Sequence, residues 1–246
     1  MSTLRYGFMP RRDRRRLAGG YAAKVLGTGP IAYWPLDEGS GAVARCLVNP
    51  AQNGAYTGVT LANDATGPFG TPAPYFDAAN DEVDVYSAAL AAAFDGAVGS
   101  IAVWAKVSAV GVWTDLATRM VMQLRVDANN YVRVYRDGTD NEMRMLFRSG
   151  GGNSNVNIAP IAPTGWEHYA ITWDKAANQM KAYYQGAQFD VTQGIAVAWA
   201  GALAANDCFI GAGGAGPVFV WDGYIAHPAL WDRALGAGEI AALANP

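Results

Sequence analysis

The chain has few of the residues from which reactive or covalently braced sites are built. Only 16% of its 246 residues are charged, and it holds two cysteines and two histidines. Two cysteines cannot form the disulfide framework of a small secreted domain, so we expect Cys46 and Cys208 to be buried thiols. No apolar run approaches the roughly 18 residues of a membrane helix, so no membrane partner is expected. The basic N-terminus lacks the apolar stretch of a secretion signal, and we expect no such signal.

Apolar and turn-forming residues are abundant. Hydrophobic residues make up 51% of the chain, with 29 glycines and eight tryptophans, which is typical of a packed globule with many tight turns. Polar and apolar residues alternate with the period of a β-strand. The clearest predicted strands are 100–106, 119–126, 131–136, 143–148, 166–174 and 179–185. Asn, Asp and Gly turns join three of them into a predicted antiparallel meander, and the one good helix candidate is 235–243.

Charge is distributed unevenly along the chain. Residues 1–24 hold seven basic side chains against one acidic side chain, a net charge of +6, so the rest must carry −9 to give the overall −3. A cluster of helix and strand breakers at 27–30 follows this basic segment. We therefore predict two units, an extended basic N-terminal arm over residues 1–29 that docks on a partner, and a folded domain over residues 30–246.

The arm has the features of a protein-docking segment. The arginine-rich run at 11–16 is too polar to fold alone and should become ordered only against an acidic partner. Apolar residues are interleaved with the basic ones, and a pure phosphate binder needs no such anchors. We therefore expect a protein lattice of capsid or tail proteins, and not nucleic acid, as the partner. The residues expected to make this contact are Arg5, Tyr6, Phe8, Arg11, Arg12, Arg14, Arg15 and Arg16.

Motifs rich in Gly, Trp and Asp are spaced along residues 31–243. They include Tyr-Trp-Pro-Leu-Asp at 33–37, Gly-Trp-Glu-His at 165–168 and Trp-Asp-Arg-Ala-Leu at 231–235. Further segments lie at 52–56, 75–85, 100–106, 180–186, 209–211 and 221–225. Together they resemble the LamG-like jelly-roll family of the concanavalin A-like lectin and glucanase fold. The resemblance implies an all-β, two-sheet antiparallel jelly-roll sandwich with a short C-terminal helix, and it leaves the arm outside.

This fold hosts lectins, hydrolases, adhesion modules and structural proteins, so function has to be argued from particular residues. Glycoside hydrolysis requires two carboxylates that flank the scissile bond. Glu82 and Asp84 lie two residues apart on one strand face and are the candidates. Tyr86 and Ser87 follow where an acid catalyst is needed, so the pattern supplies no proton donor.

Metal binding rests on two aspartates. Asp37 and Asp222 lie in segments expected to meet where the first and last strands pair, and carboxylates with backbone carbonyls suit Ca²⁺. A structural calcium ion is therefore a hypothesis, and no other cofactor is expected. Turn capping by each aspartate explains the same residues without a metal. His168 and His227 belong to no nucleophilic or zinc motif.

One polar face of the predicted meander is a candidate surface for a glycan or a protein. Gln123, Arg125, Tyr131, Arg133 and Tyr135 alternate with apolar residues and should project from the same side of the sheet. Aromatic and guanidinium groups can stack on sugars or anchor a protein partner. Any half-exposed antiparallel sheet shows the same alternation, so the pattern leaves both interpretations open.

The sequence favours a non-enzymatic structural and binding protein. The leading hypothesis is a bacteriophage virion component, a capsid decoration or tail-associated protein assembled in the host cytoplasm. Its arm would anchor it, and its lectin-like sandwich would contact cell-surface glycans. The alternative is a free bacterial carbohydrate-binding module or lectin, and the third hypothesis is a glycoside hydrolase.

Overall fold

A computed structural model describes residues 20–158, 162–214 and 216–245. Within these ranges the α-helices are α1 (Tyr21–Gly27), α2 (Ala88–Ala93) and α3 (Ala237–Ala244), and short 3-10 helices span Pro50–Gln52, Pro68–Gly70 and Val110–Thr114. The strands are β1 (Ala32–Tyr33), β2 (Val43–Ala44), β3 (Gly54–Thr57), β4 (Thr60–Asp64), β5 (Ala73–Asp77), β6 (Glu82–Asp84), β7 (Val98–Val107), β8 (Arg119–Asp127), β9 (Asn130–Arg136), β10 (Met143–Ser149), β11 (Gly152–Ile158), β12 (Glu167–Asp174), β13 (Gln179–Tyr184), β14 (Ala187–Gln193), β15 (Phe209–Ile210) and β16 (Asp222–Trp231).

The strands of the described residues form two antiparallel sheets. Sheet I has the order β14-β13-β12-β7-β16-β5-β4, with β1 also paired to β16. Sheet II has the order β11-β10-β9-β8-β15-β6-β3-β2. Neighbours in both sheets are often distant in sequence, as in the pairing of β16 with β7, so the sheets assemble by long-range contacts. The predicted two-sheet antiparallel sandwich with a C-terminal helix is confirmed.

The predicted meander and helix lie close to where the sequence put them. Strands β8, β9 and β10 pair consecutively, and each differs from its predicted range by one residue at one end. Helix α3 begins two residues later than predicted. Its first turn is stabilised by Glu239, whose carboxylate accepts a hydrogen bond from the backbone N–H of Gly236 at 3.0 Å and pairs with Arg233 at 2.6 Å.

The main core lies between the two sheets. Trp34, Trp173 and Trp221 are its largest fully buried side chains. Each indole N–H donates to a backbone carbonyl, at distances of 2.8 to 3.3 Å, so that none of these three buried donors is left unpaired, which would cost about 1–3 kcal/mol. Cys46 and Cys208 are free and buried, which confirms the prediction of two buried thiols.

The outer side of sheet I carries a second apolar cluster, which α1 and α3 cover. Tyr21, Val25 and Leu26 share one side of α1 and are all buried in this cluster beside Trp104. The Tyr21 hydroxyl accepts a hydrogen bond from the Trp104 indole N–H at 2.9 Å, and its ring stacks on that of Phe69 with 4.3 Å between centroids. None of the helices in the described ranges has the length and apolarity needed to cross a membrane.

Helix α1 corrects the predicted N-terminal arm. An extended arm over residues 1–29 is wrong for residues 21–27, which are helical and packed on the folded domain. The breakers at 27–30 end this helix instead of separating an arm from a domain, and Thr28 there accepts a hydrogen bond from the Trp231 indole at 2.9 Å. The residues predicted to dock on a partner lie outside the described ranges: Arg5, Tyr6, Phe8, Arg11, Arg12, Arg14, Arg15 and Arg16.

Candidate functional site

Sheet II has an outer side on which polar side chains are half-exposed to solvent. Along β8, β9 and β10, alternate residues enter the main core and the others point outward. The strand register places Gln123 opposite Arg133, and Tyr131 between Arg125 and Arg148. The structure thus brings together the five residues predicted from the sequence and adds a sixth. We call this set the sheet II face: Gln123, Arg125, Tyr131, Arg133, Tyr135 and Arg148.

Arg133 is held on two sides within the sheet II face. Its Nε donates to Oε1 of Gln123 at 2.6 Å, and its guanidinium carbon lies 3.9 Å from the centroid of the Tyr131 ring. Gln123 is itself fixed, because its amide donates to the carbonyl oxygen of Gly213 at 3.0 Å. Burial lowers the pKa of Arg133, and the positive charge of Arg125 lowers it further, whereas Tyr131, Tyr135 and the carboxylate of Asp207 act in the opposite direction. The guanidinium is therefore fixed in one orientation by groups that do not neutralise it.

Two residues predicted to be at the surface are instead buried. Gln123 is 0% exposed and Tyr135 is 9% exposed. Tyr135 packs with Met120 and Leu146 in a small apolar cluster. Tyr131 is half-exposed, but the Arg133 guanidinium is stacked on its ring. Gln123 and Tyr131 therefore position Arg133, and the guanidinium groups are what the face offers to a ligand.

Two arginines on this side of sheet II are neutralised by carboxylates. Arg125 Nη1 lies 3.1 Å from Asp207 Oδ1. Arg144, on β10, pairs with Asp137 at 2.6 Å and also with Asp140. The charge of each is balanced within the protein, so neither needs an external anion.

Arg133 and Arg148 are different, since among the described residues no carboxylate lies within 4.0 Å of either guanidinium. Arg148 Nη1 donates instead to the neutral Oδ1 of Asn153 at 3.1 Å, and its Nε is buried without a hydrogen-bond partner. The guanidinium of Arg148 lies 5.8 Å from the same Tyr131 ring on which Arg133 stacks. Two arginines without an ion-pair partner within 4.0 Å among the described residues are thus associated with one tyrosine.

The carboxylates considered for hydrolysis lie on β6, two strands away from β8. Burial raises the pKa of Glu82, and the nearby charge of Asp84 raises it further. Asp84 accepts a hydrogen bond from the backbone N–H of Tyr86 at 2.8 Å, and the Ser87 hydroxyl accepts one from the Leu90 N–H at the start of α2. The positions where an acid catalyst would follow are therefore used to turn the chain and begin a helix.

Sequence analysis missed a row of aromatic residues on the part of sheet I that lies beyond the helices. We call it the sheet I row, and it consists of the aromatic residues Tyr75, Tyr224 and Trp166 together with Lys106, which lies against them. The ring centroid of Tyr224 lies 5.2 Å from that of Tyr75 and 6.3 Å from that of Trp166. The Lys106 ammonium lies 4.5 Å from the Tyr224 ring and is neutralised by Asp64 at 2.7 Å. These residues are far apart in sequence, and only the strand register could have revealed the row.

The two aspartates predicted to bind calcium are paired with different arginines. Asp37 lies 3.5 Å from Arg45, whereas Asp222, at the start of β16, lies 3.8 Å from Arg119. Strand β1 is only two residues long, and the chain turns away at Leu36, whose φ is 59°. Within the described ranges, no three His, Cys, Asp or Glu side chains are grouped so that they could hold a metal ion. The calcium site at Asp37 and Asp222 therefore stays a prediction that no group of described side chains supports.

Both histidines are buried on the outer side of sheet I. His227 is hydrogen-bonded at 2.9 Å to the Tyr33 hydroxyl and at 3.1 Å to the Thr71 hydroxyl. His168 lies against Trp104, and neither of its ring nitrogens has a partner. Burial lowers the pKa of each histidine to about 3, so both are neutral near pH 7. They contribute to packing and are remote from the sheet II face.

Many solved structures resemble the chain in fold, and three of them illustrate the range. Domain 4 of AbnA, a GH43 extracellular arabinanase from Geobacillus stearothermophilus solved with arabinotriose, matches with a TM-score of 0.63 at 17% identity, over 88% of this chain and 98% of that domain. Trypanosoma rangeli sialidase, solved with sialic acid, matches with a TM-score of 0.62 at 12% identity, over 88% of this chain. The CBM40 domain of Ruminococcus gnavus IT-sialidase has a TM-score of 0.52 at 14% identity, over 78% of this chain and 96% of that domain.

The matches differ in how much of each relative they include. The chain corresponds to only 33% of the sialidase, whereas it spans almost all of the arabinanase domain. No curated protein matches the chain. The family model of the concanavalin A-like lectin/glucanases superfamily matches residues 91–241, which run from α2 through α3 and include the whole sheet II face. The chain is therefore a member of the concanavalin A-like lectin/glucanases superfamily.

Proposed function

We propose that the protein binds carbohydrate without transforming it, and that the sheet II face is its binding surface. The observation that carries the proposal is the contrast between the two sheets. Helices α1 and α3 bury the apolar residues on the outer side of sheet I, whereas sheet II presents ordered polar side chains to solvent. A sheet side that carries fixed hydrogen-bond donors in place of an apolar cover is suited to a polar ligand.

The sheet II face is organised before any ligand binds. The hydrogen bond from Arg133 to Gln123 and the stacking of Arg133 on Tyr131 fix a long side chain that would otherwise lose rotamer freedom on binding. Fixing such a side chain costs about 0.5–1.5 kcal/mol, and here the folded protein has already met that cost. Sugars present many hydroxyl groups, and rigid donors can bind these without further ordering.

The structural relatives support carbohydrate binding over catalysis. The arabinanase domain that the chain spans almost completely was solved with arabinotriose, and the R. gnavus relative is a CBM40 domain. In this chain the Glu82 and Asp84 pair is followed by a helix start in place of a third carboxylate. The binding proposal therefore assigns no catalytic step to these residues.

Attachment to a virion through the N-terminal segment stays a separate proposal. The cluster of arginines at 5–16 supports it, and a lectin-like domain displayed on a particle would contact glycans through the same sheet II face. If so, the anchoring segment ends before Gly20, because α1 belongs to the folded domain.

A comparison of two tyrosine variants tests the binding surface. Glycan-array screening of the whole chain identifies the best ligand, and calorimetry then measures its affinity for the Tyr131→Ala and Tyr224→Ala variants. We expect Tyr131→Ala to weaken binding by about tenfold or more, since Arg133 loses the ring on which it stacks, and a tenfold change corresponds to about 1.4 kcal/mol. Tyr224→Ala, a matched change in the sheet I row, should leave the affinity unchanged.

The outcomes separate the surface from the function. If Tyr224→Ala abolishes binding while Tyr131→Ala does not, carbohydrate binding stands and the sheet I row is the surface. If the folded chain binds no glycan of a broad array, with or without Ca²⁺, the proposed function is wrong.

A further inference from the structure

We infer that the glycan bound by the sheet II face carries a carboxylate, and that Arg133, with Arg148 beside it, binds that group. The inference rests on the proposed function and specifies the class of sugar. It follows from which nitrogen atoms of the two arginines are used within the protein and which are not.

Arg133 has one edge of its guanidinium committed and one edge available. Nε donates to Gln123, and the flat face lies against Tyr131, but neither terminal nitrogen has a partner among the described residues. A guanidinium presents its N–H groups in a planar fork that matches the two oxygens of a carboxylate. The two supports fix the plane of this fork while leaving the terminal nitrogens unbonded.

Arg148 adds a second positive charge next to the first. It lies on β10 opposite Tyr131, so it is the diagonal neighbour of Arg133 across the strand pair. Its only hydrogen bond among the described residues is to the neutral amide of Asn153. Both guanidinium groups lie against the Tyr131 ring, at 3.9 Å and 5.8 Å from its centroid, so an anion bound beside this ring would be attracted by both positive charges.

The other arginines on this side of the sheet show that the imbalance is specific. Arg125 and Arg144 both have carboxylate partners within the protein, at distances of about 3 Å. A neutral sugar would be served by any of the four, because hydroxyl groups need donors and not net charge. The two arginines without such a partner adjoin the same ring, which fixes the orientation of Arg133. The charge pattern therefore points to an acidic sugar.

Calorimetry with paired acidic and neutral sugars tests the inference on the whole chain. The acidic probes are trigalacturonate, which carries hexuronate carboxylates, and 3′-sialyllactose, which carries a sialic acid carboxylate. Their neutral partners are the methyl esters of the same compounds and lactose. We expect at least one acidic probe to bind about tenfold or more tightly than its ester, since the ester cannot form the charge-assisted hydrogen bonds of the carboxylate, and tenfold corresponds to about 1.4 kcal/mol. The acidic probe that binds identifies the source of the carboxylate.

Arginine variants locate the carboxylate. Arg133→Gln and Arg148→Gln should each remove most of the preference for the acid over its ester, and Arg133→Lys should restore only part of it, because a lysine lacks the fork. Lys181→Gln on β13 of sheet I removes one positive charge elsewhere and should leave the preference for the acid over its ester unchanged. A thermal unfolding curve for each variant confirms that it is folded, and the two glutamine variants provide independent tests.

Three results would overturn the inference. Neutral sugars that bind as tightly as the acidic ones would be consistent with the proposed function but would refute the inference that the ligand carries a carboxylate. An acid preference that persists in both Arg133→Gln and Arg148→Gln would place the carboxylate elsewhere. Tight binding of a sulfated glycan without carboxylates, lost in Arg133→Gln, would show that the arginines bind sulfate. Failure of every glycan to bind would instead refute the proposed function itself.

Discussion

Replacing Tyr21 by alanine tests whether the segment before the sandwich is part of the folded domain. Tyr21 is 7% exposed, its ring stacks on Phe69, and its hydroxyl accepts a hydrogen bond from Trp104. Truncation of a buried aromatic side chain to alanine costs about 3–5 kcal/mol, which is a large fraction of the 5–15 kcal/mol stability of a typical domain. We therefore expect Tyr21→Ala to lower the free energy of unfolding by about 3 kcal/mol or more.

The conservative variant separates packing from hydrogen bonding. Tyr21→Phe keeps the ring and removes only the acceptor for the Trp104 indole N–H, so it should cost about 1–2 kcal/mol. Urea unfolding followed by tryptophan fluorescence measures both variants, and the slope of the transition shows whether the folded state has changed. A loss below about 0.5 kcal/mol for Tyr21→Ala would mean that α1 does not pack on the sandwich. The arm would then extend to residue 29, as the sequence predicted.

Two further predictions concern buried sites away from the sheet II face. Because burial lowers the folded-state pKa of His168 and His227 from 6.5 to about 3, the unfolded chain takes up protons first as the pH falls. Their contribution to the free energy of unfolding is complete above about pH 6.5 and is lost toward pH 3, by up to about 1.4 kcal/mol per pH unit for each histidine. His168→Leu should reduce the difference in stability between pH 7 and pH 5 measured by urea unfolding, and an unchanged difference would show that His168 is not buried as a neutral ring. Gly223, with a φ of 142°, has no room for a side chain, since a Cβ there would lie 2.1 Å from the backbone oxygen of Lys106. Gly223→Ala should cost about 2 kcal/mol or more, whereas Gly111→Ala, with open space around it, should cost little; equal thermal stability of the two variants would contradict the close approach of β16 to β7.

The fold was predictable because its signals are local. Alternation of apolar and polar residues along β8, β9 and β10 follows from the geometry of a strand, and Asn, Asp and Gly turns fix how such strands connect. The family resemblance then supplied the arrangement of the strands in two antiparallel sheets. The same local signals misassigned α1, because a helix of seven residues is too short to show a clear apolar period. The basic segment before it and the helix breakers after it also favoured an extended arm.

The candidate site was only partly predictable. Strand alternation placed Gln123, Arg125, Tyr131, Arg133 and Tyr135 on one side of the sheet, but it gave no information on burial or on which cations have carboxylate partners. The carboxylate partner of Arg125 comes from residue 207, and the ring on which Arg133 stacks is given by no spacing rule. The calcium prediction had the same weakness, since it assumed that two distant loops meet.

The sequence by itself determined the sandwich, its meander and the side of the sheet that carries polar groups, because each depends on neighbours within a few residues. Tertiary structure alone decided that helices cover sheet I, and that Arg125 has an ion-pair partner whereas Arg133 and Arg148 have none within 4.0 Å among the described residues. These features depend on which residues from distant parts of the chain come within a few ångströms of one another. Charge balance and burial are properties of that assembled environment, so they are absent from any local pattern.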